Sequence, residues 1–164
     1  MYGNLELVAQ SLGEPFVALT ERRIEVRTSA CFDAVDLTER LEKIVEASTI
    51  ERGLVFIQSL HTTAAIVVNE DEPLLWEDLR SMLERLAPRR GRYRHDDFAV
   101  RTVNMTPDEM ANGHAHCKAL FLPTSVALAV SGGRLVLGRW QRVFLLELDR
   151  ARPRSAAVVL HGST

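Results

Sequence analysis

The chain reads as an α+β domain in which a mainly antiparallel sheet is flanked by about three helices. Two observations predict this. Punctuated helix starts stand at Asp36-Leu37-Thr38-Glu39, at Glu72-Pro73 and at Thr106-Pro107-Asp108-Glu109. Strand-like runs stand before, between and after them, so the order strand, helix, strand, helix, helix, strands selects α+β. The chain holds no glycine-rich phosphate loop, no repeat and no low-complexity segment.

Residues 1–15 show no period and are expected to form a loosely held extension. Apolar positions alternate near Ile24 and Val26, which predicts a strand within Phe16–Thr28. Asp36 can accept from free helix amides and Glu39 can reach back, so a helix is expected from 37 to about 48, with Leu37, Leu41, Ile44 and Val45 on one face. The run Leu54–Val68 is too long for one strand, since strands average about 5–6 residues. A bend is expected at Ser59–Thr63. Pro73 suits the first turn of a second helix, with Asp71 and Glu72 at its positive end and an apolar stripe of Leu75, Trp76, Leu79, Met82, Leu83 and Leu86. Residues 88–98 read as a polar loop. The Thr106 start predicts a third helix to about Phe121, stopped by Pro123. Beyond it, Val126–Val130, Leu135–Leu137, Trp140–Leu148 and Ala156–Leu160 read as an antiparallel meander, with Ser131-Gly132-Gly133-Arg134 as a hairpin turn.

The 164 residues suit one domain with its own core. A hydrophobic fraction of 46% and a charged fraction of 26% are ordinary for a soluble protein. A net charge of −2 gives no general pull toward nucleic acid or anionic membrane. Cys31 and Cys117 are the only cysteines, without CxxC spacing, which argues against a disulfide scaffold and fits a reducing compartment. No segment approaches the ~18 apolar residues of a membrane span, and the N-terminus lacks an export signal. A cytoplasmic protein is expected.

Polar residues interrupt the run at Ser59, His61, Thr62 and Thr63, and Asn69-Glu70-Asp71-Glu72 then delivers carboxylates to a helix start. A strand interior carrying these groups either lines a site or holds a histidine satisfied by backbone groups. Of the five histidines, His161 sits near the chain end and is expected to be solvated. His114 and His116 are about 200° apart on a helix and cannot both face one site. His116 shares its face with Asn112 and Glu109 and is the better candidate, while His114 is expected to be packed. His95 lies in a loop, where a histidine is exposed by default. In a strand over Trp140–Leu148 both faces are largely apolar, so Glu147 is expected to be half-buried, near Arg152 and Arg154. It then serves either a strand-end salt bridge or the rim of an anion or metal site. The run Arg85, Arg89, Arg90, Arg92 and Arg94 is followed by Asp96 and Asp97 and lacks an aromatic ladder, so a solvated loop is favoured over a nucleic-acid surface.

The set His61-Thr62-Thr63-Ala64, Asn69-Glu70, Asp78, Tyr93 with His95, Asn112 with His116, Ser125, Gly138 with Trp140-Gln141, and Glu147 resembles the YjbQ family, also called the UPF0047 or secondary thiamine-phosphate synthase family. The resemblance runs from about residue 24 to 162. It leaves residues 1–20 as an N-terminal extension and 21–164 as the family domain. Departures occur at Pro123, Ala129, Cys117 and Arg150-Ala151, where the family favours other residues, but Arg152 is kept.

The resemblance implies a homotrimer and a polar pocket near a subunit interface, where His61, His95 and His116 meet Glu70, Asp78 and Glu147 as catalytic residues. Arg152, Gln141 and Thr63 would bind the ligand, and the three histidines a divalent metal, zinc first. The implied activity is that of a secondary thiamine-phosphate synthase acting on a phosphorylated small molecule. The alternative is a non-catalytic metal- or metabolite-binding homotrimer. No nucleic-acid or membrane partner is expected.

Overall fold

The break expected inside Leu54–Val68 divides the molecule into two sheets. The computed structural model describes residues 17–164, and the extension expected over residues 1–15 lies outside them. The strands are β1 (Val17–Arg27), β2 (Ala34–Asp36), β3 (Arg52–Ser59), β4 (Ala64–Asn69), β5 (Ser125–Ser131), β6 (Arg134–Leu135), β7 (Arg142–Glu147) and β8 (Pro153–Ser163). The helices are α1 (Thr38–Glu46), α2 (Pro73–Leu86) and α3 (Gly113–Ala119). One sheet has the order β1-β8-β3-β5-β6 and the other β2-β7-β4, and every pairing is antiparallel. Residues 17–20, expected in the extension, belong to β1, where Thr20 pairs with Leu160.

The inner faces of the sheets meet in one core. Val55, Ile57, Val158 and Leu160 come from the five-stranded sheet, Ile66, Val143 and Leu145 from the three-stranded sheet, and Leu41 and Val45 from α1, with Leu37 just before it. The other face of the three-stranded sheet packs Ala65, Leu146 and Leu148 against Leu83 of α2 and Ala115 of α3. Trp76 of α2 meets the Phe144 ring edge-on at 4.9 Å between centroids. Both apolar faces of β7 are therefore covered within one chain. The helices cover one face and the five-stranded sheet with α1 covers the other.

The C-terminal third is not a meander. Only β5 and β6 form a hairpin, through Gly132 and Gly133 at φ 58° and 68°, a left-handed pair that suits a tight turn. β7 crosses to the other sheet and β8 returns between β1 and β3.

α1 begins with Asp36 accepting from the Thr38 amide at 2.8 Å, without the reciprocal bond from Glu39, and ends at Glu46. α2 starts at Pro73 as expected, with Glu72 accepting from the amides of Leu74 and Leu75. The third helix differs. Thr106 and Glu109 close a local turn of their own, at 3.4 Å between side chains, and the helix starts only at Gly113. The reason is Asp96, whose Oδ1 accepts from the amides of Asn112 and Gly113 at 2.9 and 2.8 Å. Gly113 is required there, because a Cβ would stand 2.5 Å from Cβ of Tyr93. Among the described residues, no helix is long and apolar enough to cross a membrane.

Candidate functional site

A cleft of about 440 Å³ opens where the β3–β4 connection, the start of β8 and the α3 region meet. Its walls include His61, Thr62, Thr63, His95, Arg101, Asn112, His116 and Arg152.

The β8 side is held by a buried, hydrogen-bonded cluster. Glu147 is 0% exposed and Arg154 2%. Arg154 Nε donates to Glu147 Oε2 at 2.6 Å, and Arg154 Nη2 pairs with Glu147 Oε1. Thr28 Oγ1 donates to Oε2 at 2.9 Å and the Asp149 amide to Oε1 at 2.9 Å. Arg154 Nη2 also donates to Thr63 Oγ1 at 2.9 Å. Burial makes this bonding obligatory, because an unpaired charge in such a place is costly. Glu147 is thus not half-buried at a rim. It holds Arg154, which lines the cleft, and among the described residues its hydrogen bonds go to Thr28, Asp149 and Arg154 and to no histidine. Strand phasing placed it beside Arg152 and Arg154, but not so deep.

His61 follows the end of β3. Its Nε2 accepts from the Ser155 amide at 2.8 Å, while the Leu60 amide donates to the Ser155 carbonyl at 3.0 Å. Burial, and then the charges of Arg154 and Arg152, push its pKa down. Arg152 Nη1 rests on Asp149 Oδ2 at 3.1 Å, beside Arg150 on the same oxygen.

On the facing wall, His95 sits in a single 3₁₀ turn, Arg94–Asp96, whose Asp96 caps α3. That bond brings His95 to His116, 4.5 Å between ring centroids. Burial, and then His95 and Arg101, lower the pKa of His116. Among the described residues, His95 Nε2 and Asn112 Oδ1 at the cleft, and His114 Nε2 away from it, are enclosed without a partner.

His116 faces the cleft and His114 is buried away from it, as helix phasing predicted, even though the helix is shorter than expected. His161 is exposed, as are Arg85, Arg89, Arg90, Arg92 and Arg94. Glu70, Asp78 and Gln141 are exposed and lie outside the cleft lining of the chain, with Gln141 Oε1 accepting from the Gly138 amide. Sequence reasoning missed Arg101, Asn104 and Glu109. Arg101 donates to Glu109, to the Asn104 and Val103 carbonyls and to the His95 carbonyl, so it ties the 97–112 segment to the cleft. A helix expected from Thr106 hid that arrangement.

The implied three-histidine metal set does not fit the donors as arranged. The Nε2 lone pair of His61 is used by a backbone amide. Among the described residues, no three His, Cys, Asp or Glu side chains are grouped to hold one ion.

The family model described as "UPF0047 protein YjbQ-like" matches residues 22–163. A UPF0047 protein of Archaeoglobus fulgidus is 36% identical over 135 residues, 82% of this chain and 96% of that one. One from Methanothermobacter thermautotrophicus is 32% identical over 90% of this chain and 95% of its own length. Among solved structures, a YbjQ-like protein of unknown function from Sulfolobus solfataricus superposes with a TM-score of 0.79 at 35% identity, covering 90% of this chain and 99% of that one. A conserved hypothetical protein from Thermus thermophilus gives 0.66 at 36% identity, over 84% and 97%.

Proposed function

The chain belongs to the UPF0047 YjbQ-like family, and from the contents of its cleft we propose that it acts on a phosphorylated small molecule in the manner of a secondary thiamine-phosphate synthase. The observation that carries this reading is the meeting of imidazole, guanidinium and unpartnered amide groups in one cleft: His61 and Arg152 on one wall, His95, His116 and Asn112 on the other. Arginine recognises phosphoryl oxygens by paired hydrogen bonds. A neutral imidazole can donate to such an oxygen or take up a proton.

In the reaction, the ring nitrogen of a thiazole phosphate attacks the methylene carbon of a pyrimidine pyrophosphate. A carbon–nitrogen bond forms, the carbon–oxygen bond to pyrophosphate breaks, and the electron pair departs with the pyrophosphate. Arg152 and His61 would hold that leaving anion, and the opposite wall would orient the ring that is attacked. His95 and His116 would supply at most two imidazoles to a cation.

The reading includes a homotrimer. Leu19, Leu54 and Phe56 lie on the outer face of the five-stranded sheet, 62%, 52% and 38% exposed, and a subunit contact would cover them. Light scattering should then give three times the 18.4 kDa chain mass. Incubation with the two phosphorylated substrates should release pyrophosphate. Phosphate binding in a trimer with no release would favour the non-catalytic metabolite-binding alternative. Absence of both binding and release would remove the phosphorylated-ligand reading.

A further inference from the structure

His61 has its hydrogen-bonding role fixed by the backbone. A peptide nitrogen has one hydrogen to give and accepts nothing. The 2.8 Å contact between the Ser155 amide and His61 Nε2 therefore has one direction, and Nε2 must present its lone pair. A ring that accepts at Nε2 is neutral and keeps its single proton on Nδ1. Ser155 Oγ, 3.4 Å from Nε2, can only reinforce this by donating as well. The donating residue is held on its other side too, because the Leu60 amide donates to the Ser155 carbonyl at 3.0 Å. The other edge of the ring is open: among the described residues Nδ1 has no bonding partner and is not enclosed, and His61 lines the cleft. Beside it stand Arg152, Thr62 and the buried Arg154.

We propose that His61 serves the cleft as a fixed Nδ1–H hydrogen-bond donor, a positioning group for an anionic oxygen, and is neither a metal ligand nor a base. The proposal deepens the phosphorylated-ligand reading and rests on it for the identity of the anion. Ligation through Nε2 would break the bond to Ser155. Ligation or proton abstraction through Nδ1 would require the ring proton to move to Nε2, where it would face the Ser155 N–H. The facing wall has the opposite character. His95 Nε2 and Asn112 Oδ1 are enclosed and unpartnered, and His116 stands 4.5 Å from His95. Cation binding and proton transfer fall to that wall, and anion recognition falls to His61 and Arg152.

The test is long-range proton–nitrogen NMR of the full chain labelled at histidine nitrogens, which reads the tautomer of each ring. His61 should be in the Nδ1–H form, and inorganic phosphate should move its Nδ1 resonance. Zinc added alone should move the His95 and His116 nitrogens and leave His61 in place. An Nε2–H tautomer, or a zinc response at His61 as large as that at His95, overturns the proposal. A pair of variants gives a second reading. In His61→Gln the side-chain oxygen can accept from Ser155 while the amide donates, with no base or strong ligand left. Phosphate affinity should fall at least about tenfold in His61→Ala and recover to within about threefold of the native value in His61→Gln. Equal loss in both overturns the donor role. If the native chain binds no phosphate while His61 is still Nδ1–H, the donor assignment stands and the phosphorylated-ligand reading fails alone.

Discussion

The two walls of the cleft are built by opposite rules. The β8 wall is strand-borne and rests on a bonded core, since the carboxylate oxygens of Glu147 and the Nε and Nη2 of Arg154 are buried and bonded. The α3 wall is borne by a 3₁₀ turn, a long connection and a seven-residue helix, and it leaves His95 Nε2 and Asn112 Oδ1 enclosed without partners among the described residues. Buried polar groups are normally satisfied. The buried part of the β8 wall is therefore scaffold that presents His61 and Arg152 to the cleft, while the facing wall brings unpartnered groups, His95 Nε2 and Asn112 Oδ1, to it directly.

The largest expected effect tests the scaffold side. Glu147→Gln leaves the Arg154 guanidinium buried with its charge uncompensated, and breaking such a pair costs about 3–5 kcal/mol. At roughly 2–4 °C per kcal/mol for a chain of this size, the melting temperature should fall by roughly 6–20 °C. A Glu147 at the rim of an anion or metal site, one of the two roles open in the sequence, would instead lose ligand affinity at near-normal melting temperature. Calorimetry decides between them. An unchanged melting temperature with lost phosphate affinity would erase the contrast between the walls.

The next effect is on the other side. Asp96→Ala removes the carboxylate that caps α3, at a cost of about 0.5–2 kcal/mol. It also loosens the bond that sets His95 beside His116. Denaturant unfolding should show the modest loss, and the histidine resonances of His95 and His116 should shift while that of His61 does not. A shift at His61 as well would mean that the walls are not independent.

A smaller effect follows from pH. His61, His114 and His116 all have pKa values lowered by burial in the fold. Each is neutral in both states above its unfolded value of about 6.5. As pH falls below that value the unfolded chain takes up protons first, so stability declines from there down toward the depressed folded values. Unfolding midpoints between pH 7 and 5 should show this slope, and His116→Asn should flatten it. A midpoint that rises on acidification would contradict the burial of these rings.

Much of this was legible in the chain. Glu72-Pro73 marked α2, and the polar interruption at Ser59–Thr63 marked the passage between sheets, because both signals are local. The partition of the later strands was not legible. β7 is apolar on both faces, and nothing within it says which face meets a helix and which a sheet. α3 was misplaced because its cap lies sixteen residues back in the chain, at Asp96, whereas Thr106 and Glu109 satisfy each other locally. The three cleft histidines came from the resemblance and from helix phasing. Arg101 carried no signal, since its role depends on a connection that only tertiary contacts shape.

Arg101 gives the smallest expected effect and the finest test of the contrast. It is the cation nearest in role to the unsaturated wall, yet it is held by Glu109 at 3.3 Å and by three carbonyls. Glu109→Gln removes the charge that competes with a ligand anion and keeps a group able to accept from Arg101. The connection should therefore keep its shape while the guanidinium becomes more available to the cleft. The pair is half-buried, its side chains 14% and 17% exposed, but a single charge facing an open cleft is worth little, so inorganic phosphate should bind only about two- to threefold more tightly, with a melting temperature close to native. The gain should shrink as salt is raised, because screening weakens whatever charge was uncovered. Weaker binding in this variant would mean that Glu109 positions Arg101 for the ligand instead of withholding it, and the α3 wall would then be organised before the ligand arrives, like the wall it faces.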